Sequence, residues 1–192
     1  SVAETAERQR DEANARAASS GSSFHGERRK VSAVISECGK YRYRLIRSLG
    51  MMGDGACAFV MLNPSTADAE NDDPTIRRCI GFARALGCGR LEVVNLFAYR
   101  STSPDVLYAM SRDHAIGPEN DRHILEACKG ARLVLCAWGN HGSQFGRAAE
   151  VLALLAANGV RPKALKINAK SGQPAHPLYL KASASPFDIV QP

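Results

Sequence analysis

Four short polar segments hold the side chains of this sequence that could bind or cleave a ligand. They are Asn63-Pro64-Ser65-Thr66 with Asp68 close behind, Asn95 within Val93-Val94-Asn95-Leu96-Phe97, Trp138-Gly139-Asn140-His141, and His176-Pro177-Leu178-Tyr179-Leu180. A carboxamide offers a donor and an acceptor side by side, which suits it to reading the edge of a heterocycle or orienting a water molecule. An imidazole can supply a proton or a hydrogen bond to a leaving group, and a carboxylate can accept a proton. Asn95 lies in an otherwise apolar run, where an unpaired amide costs free energy. It is therefore either tied to backbone or aimed at a ligand. His176, between Ala175 and Pro177, could by itself be a capped loop histidine.

Each segment sits at the end of a predicted strand. Short apolar runs at Ala56–Leu62, Leu91–Phe97, Leu133–Trp138 and Ala164–Ile167 alternate with helical stretches at Pro74–Leu86, Pro118–Lys129 and about Gln144–Ala157. Asp73 is read as the N-cap of the first helix with Pro74 in its first turn, and the second opens the same way after Gly117. Strand, helix, strand in repetition predicts a parallel sheet with helices on both faces. The fold class is α/β, a three-layer α/β/α domain over residues 31–192 with a four-stranded parallel sheet. An N-terminal β-hairpin precedes it, formed by Val31–Ile35 and Tyr41–Ile46, with Arg42 and Arg44 on one face. In such a sheet ligands bind beyond the carboxyl ends of the strands, so the four segments converge on one rim.

The 192 residues, 45% apolar and 23% charged, are enough for one domain with a real core. Residues 1–30 are polar and Ala- or Ser-rich, and read as a flexible tail or a lone solvated helix. No apolar run is long enough to cross a membrane and no secretory leader opens the sequence, so a cytoplasmic protein is expected. The six cysteines form no Cys-x-x-Cys pair and are read as reduced thiols, with no metal expected. No Gly-x-Gly-x-x-Gly or Walker sequence occurs, and no cofactor is expected. Of the net charge of +6, the stretch from Lys129 to Pro192 carries eight Lys/Arg against two Asp/Glu, the footprint of a polyanion partner such as nucleic acid.

Asn63-Pro64, Asn95, the Trp138-Gly139-Asn140-His141 turn and His176-Pro177-Leu178-Tyr179-Leu180 occur in the order, and on the strands, of the uracil-DNA glycosylase superfamily, which this sequence resembles. From Ala33 to Leu180 it also resembles a bacterial and phage domain family marked by Met-Leu-Asn-Pro-Ser-Thr-Ala-Asp. The first resemblance implies a glycosylase-like fold and a monomeric, monofunctional enzyme that flips a base out of duplex DNA and hydrolyses its N-glycosidic bond. Asn63 would orient water, as in the mismatch-specific branch, with Asp68 or Asp72 as an alternative carboxylate. His176 would donate to the pyrimidine O2 of the departing base, and Asn95 would read the base edge. Pro64, Ser65, Thr66, Phe97, Trp138, Gly139, Asn140 and His141 would complete the base pocket.

Leu180, with Leu178 and Tyr179 beside it, would be the wedge that fills the gap in the stack. Ser65 stands where the uracil-specific branch has a Tyr, which leaves room for a substituent at C5 of the base. A modified, even bulky, cytosine of the kind phage DNA carries would fit, with a role in antiviral defence or base-excision repair. The stacking aromatic has no counterpart at its usual place, where Ile76 stands; Phe97, Tyr99 or Phe82 could replace it. The rival expectations are a nucleoside or nucleotide hydrolase acting on free small molecules, a non-catalytic nucleic-acid sensor, and a structural domain whose Asn95 and His176 only satisfy backbone groups.

Overall fold

The computed structural model describes residues 32–50, 53–65 and 71–189. The tail over 1–30 and the site candidates Thr66 and Asp68 lie outside them. Among the described residues there are seven strands: β1 (Ser32–Ile35), β2 (Arg42–Ser48), β3 (Ala56–Met61), β4 (Arg90–Asn95), β5 (Leu133–Cys136), β6 (Lys163–Ala164) and β7 (Phe187–Asp188). Five α-helices accompany them among the described residues: α1 (Pro74–Ala85), α2 (Pro104–Tyr108), α3 (Arg112–Ile116), α4 (Asn120–Lys129) and α5 (Arg147–Ala157). The class is α/β.

All seven strands form one sheet in the order β1-β2-β4-β3-β5-β6-β7. The central strands β4, β3, β5 and β6 run parallel, at the places expected of them. The expected purely parallel four-stranded sheet is nevertheless too small. The hairpin β1–β2 pairs antiparallel along β4 and β7 pairs antiparallel with β6, so the sheet is mixed. A strand flanked on one side only leaves unpaired backbone groups, and antiparallel neighbours satisfy them at both edges of the parallel block.

The side-chain period of two explains the layers. On β3 the residues Cys57, Phe59 and Met61 join one apolar cluster with Ile76, Cys79 and Phe82 of α1. Ala58 and Val60 of the same strand join a second cluster with Ile124 and Ala127 of α4 and Val151 and Leu155 of α5. All six residues of β3 are buried, as expected for a strand covered on both faces. Each fully buried Phe, Leu or Val contributes roughly 1.5–3 kcal/mol relative to exposure.

Two helix starts move. The second predicted helix begins at Asn120, because Glu119 rather than the Gly117-Pro118 step precedes the first helical turn. The third begins at Arg147, since Gln144 is extended and Phe145 takes φ +54°, which splits residues 140–146 off as a separate 3-10 segment. Helices α2 and α3, which the predicted elements do not include, have five residues each.

A bulge in β2 bears directly on the site. Val34 pairs with Arg44 but Ile35 pairs with Arg42, so Tyr43 is an extra residue on β2. Bulges turn a side chain to the other face of a sheet. Arg44 therefore reaches Glu92 (2.5 Å) on the α4 face, where Tyr43 stacks on His123, while Leu45 joins the α1 side. Arg42 ends up on the opposite face from Arg44, which corrects the expectation that the two share one face.

Candidate functional site

A cavity of about 480 Å³ opens at the carboxyl ends of β3, β4 and β5, on the face that carries α1. This lies inside the roughly 300–1,000 Å³ typical of small-molecule sites. All four polar segments read from the sequence reach it: Asn63 and Ser65, Asn95, Trp138 to His141, and His176 with Tyr179 and Leu180 all line its wall.

Asn63 follows β3 and is held by its amide nitrogen. Nδ2 donates to Ser101 O at 2.8 Å and to Pro64 O at 3.2 Å. Any work on a ligand or water therefore falls to Oδ1, an acceptor. Pro64 is buried and contributes through its carbonyl, which accepts from Ser101 N at 2.9 Å, rather than as a wall of the cavity. Ser65 donates its hydroxyl to Asp73 Oδ2.

Asn95 ends β4 and is 1% exposed. Its backbone is braced from the other face: Asn120 Nδ2 donates to Asn95 O (3.0 Å) and Leu96 O (2.9 Å), and Arg147 Nε donates to Leu96 O (3.0 Å). Its side-chain Nδ2 is buried with no hydrogen-bond partner, in the wall of the cavity. An unmet buried donor costs about 1–3 kcal/mol. Of the two expectations for Asn95, an amide tied to backbone and one aimed at a ligand, its Nδ2 shows no backbone partner.

Trp138 and the turn after it are fixed by the 168–173 loop. Trp138 Nε1 donates to Gln173 Oε1 at 2.7 Å, and Asn140 Oδ1 accepts from Asn168 Nδ2 (2.7 Å) and Ser171 Oγ (2.8 Å). Asn140 thus keeps its amide nitrogen for other acceptors. The indole is packed so closely by Gly142 that a Cβ there would stand 2.0 Å from Trp138 Cδ1. His141 is exposed and its Nδ1 meets the hydroxyl of Tyr108.

His176 opens a short turn, and its Nδ1 accepts from Leu178 N at 3.4 Å. That bond leaves the proton of a neutral ring on Nε2. Burial lowers the pKa of His176 while the Asp73 carboxylate works against it, which places the two within electrostatic reach. The ring is then a neutral hydrogen-bond donor at neutral pH.

Some expectations do not hold. Phe97 is fully buried in the cluster of α4 and α5 and does not line the cavity. β4 ends at Asn95, so the alternation that would have put Phe97 on the side of Asn95 stops there. Phe82 is buried and Tyr99 half-buried, and neither faces the cavity; its aromatic walls are Trp138, His141, His176 and Tyr179. Leu180 is buried against the α1 cluster and its carbonyl accepts from Arg78, so it cannot enter a base stack. Leu178 at 40% and Tyr179 at 83% exposure remain as wedge candidates.

Arg42, Asp73 and Lys166 line the cavity without having been expected there. The bulge hid Arg42. Asp73 also fills the cap role expected of it, accepting from Ile76 N at 2.8 Å. Among the described residues no cluster of three or more His, Cys, Asp or Glu is arranged to hold a metal, and no helix is long and apolar enough to cross a membrane.

The profile of a family described as "Protein of unknown function (DUF1643)" matches residues 42–178, a span that takes in the cavity from Arg42 to His176. No curated protein and no solved structure matches the chain.

Proposed function

The chain belongs to the DUF1643 family, and from the cavity we propose that it is a DNA N-glycosylase acting on an extruded pyrimidine, in the manner of the uracil-DNA glycosylase superfamily that its sequence resembles. The observation that carries this is the unpartnered amide of Asn95, 1% exposed, in one hollow with Asn63 and His176. A flipped base brings the missing acceptor to Asn95 Nδ2. His176 Nε2–H points a donor at the oxygen on which negative charge develops as the base departs, a stabilisation present mainly in the transition state. Asn63 Oδ1 orients the water that meets the sugar carbon. Tyr179 and Leu178 at the rim fill the gap left in the duplex, and Lys166 with the other C-terminal lysines meets phosphate.

Ser65 in place of a ring leaves space beside the base, which favours a C5-modified cytosine as substrate and a cytoplasmic role in defence or repair. A hydrolase of free nucleotides is the second reading, favoured by the positive charge that Arg42 adds to the wall.

The test is incubation with duplexes carrying uracil, mismatched thymine or C5-modified cytosines, followed by alkali to cut at abasic sites. Strand cleavage with a modified cytosine is expected, reduced about 10²–10⁴-fold in His176→Ala with duplex affinity retained. Release from free nucleotides and not from DNA would select the second reading. Duplex binding without release would leave a non-catalytic sensor.

A further inference from the structure

N-glycosidic hydrolysis is accelerated by a group that takes a proton from the attacking water, and the carboxamide of Asn63 is not basic enough to do so. Asp72 is engaged by Arg47, whose Nε donates to its Oδ1 at 2.7 Å. Among the described residues the carboxylate that lines the cavity is Asp73. It is half-buried, it shares the wall with Asn63 and His176, and its charge is felt by the His176 ring. Two hydrogen bonds fix it: Ile76 N donates to Oδ1 at 2.8 Å, and Ser65 Oγ donates to Oδ2. An ionised carboxyl has about four acceptor positions, so each oxygen keeps capacity for a water. The vacant donor of Asn95 in the same cavity marks the place of the ligand independently of the cap.

We infer that Asp73 is the general base of this site, a catalytic residue that also caps α1. The inference rests on the N-glycosylase reading and adds to it the group that receives the proton. Water oxygen bonds to C1′ of the sugar as the C1′–N bond breaks, and the electron pair of that bond leaves with the base. One water proton goes to the Asp73 carboxylate and the other remains on the new sugar hydroxyl. The base anion, held by His176 Nε2–H, is then protonated from solvent, and Asp73 returns its proton there, so that one water is added overall.

A cap and a base are separable by substitution, since Asn and Ser cap a helix about as well as Asp does. In Asp73→Asn the amide oxygen accepts from Ile76 N while Ser65 turns its hydroxyl to accept from the new NH₂. In Asp73→Ser a small cap leaves space for an added carboxylate. The wild-type protein, D73N and D73S are compared in single-turnover base release on the duplex that the wild type cleaves, alongside duplex affinity and thermal unfolding.

Both variants are expected to melt cooperatively and bind DNA as the wild type does, with release lowered about 10²–10⁴-fold. Formate should restore release at least about tenfold in D73S and not in D73N, which a structural role would not produce. Release by D73N within threefold of the wild type overturns the assignment of Asp73 and leaves the glycosylase reading standing. So does loss of release together with loss of folding in both variants, or a folded D73S that formate does not rescue. A wild-type protein that releases no base from any duplex overturns both.

Discussion

At the amino ends of β3 and β4, Arg132 donates to Asp54 O at 3.1 Å, Leu86 O at 2.6 Å and Cys88 Sγ at 3.1 Å, whereas at their carboxyl ends Asn95 Nδ2 is buried with no acceptor at all. The amino end is closed by backbone packing: Asp54 N donates to Gly87 O at 3.0 Å and Leu49 N to Gly89 O at 2.8 Å. Even the thiol of Cys88, its pKa lowered by its hydrogen bond with Cys57 and by Arg132, is a partnered group. The carboxyl end spreads Asn63, Asn95, Asp73 and His176 around a hollow. The same strands thus have one end whose polar groups are paired and one that keeps a buried donor unmet, the kind of local cost that proteins carry at sites.

This contrast can be attacked from either end, and the largest effect is expected at the closed one. A Cβ on Gly53 would stand 2.4 Å from the carbonyl carbon of Cys88 and the nitrogen of Gly89, both backbone atoms that cannot swing aside. Gly53→Ala should lower the unfolding free energy by about 1–3 kcal/mol in urea titration, with chemistry per folded molecule unchanged. At the open end the sign reverses. Asn95→Leu removes a donor that the fold leaves unmet, and should raise the unfolding free energy by about 1 kcal/mol while base recognition is lost. A destabilised variant would mean that the amide serves the fold, and the contrast between the ends would collapse.

The smallest effect concerns acidity. Burial holds His176 below the ordinary imidazole value of 6.5, and burial does the same to His123. Between 6.5 and the lowered folded values the unfolded chain binds more protons than the native one, so stability declines as pH falls through that window. His176→Asn should make the decline shallower in melts recorded from pH 7.5 down to about pH 5. An unchanged slope would mean that the ring titrates as if in water.

Much of this was legible in the sequence. The four parallel strands stand out as short apolar runs, and α1 announces itself by Asp73-Pro74 and a run of buried Ile76, Cys79, Phe82 and Ala83 at helical spacing. Since a helix that follows a parallel strand starts at the carboxyl edge of the sheet, the cap of α1 had to face the rim. Asp73 could have been placed in the site on that ground alone. Other features had no readable signal. Five-residue helices such as α2 and α3 are too short to show a period, and β7 is two residues long. Phe97 misleads because its apolar run continues past the last paired residue of β4. Leu180 misleads because spacing from His176 does not reveal that the chain turns back onto α1.

At Tyr43 the bulge sets the charge of the hollow. On a regular β2 with the same residues, odd and even positions would keep their phase, and the guanidinium of Arg42 would lie beside that of Arg44 above the far helices. The polarity of the hollow is therefore encoded in a backbone irregularity as much as in residue identity. Two strands with the same arginines, one bulged and one regular, would present binding sites of different charge.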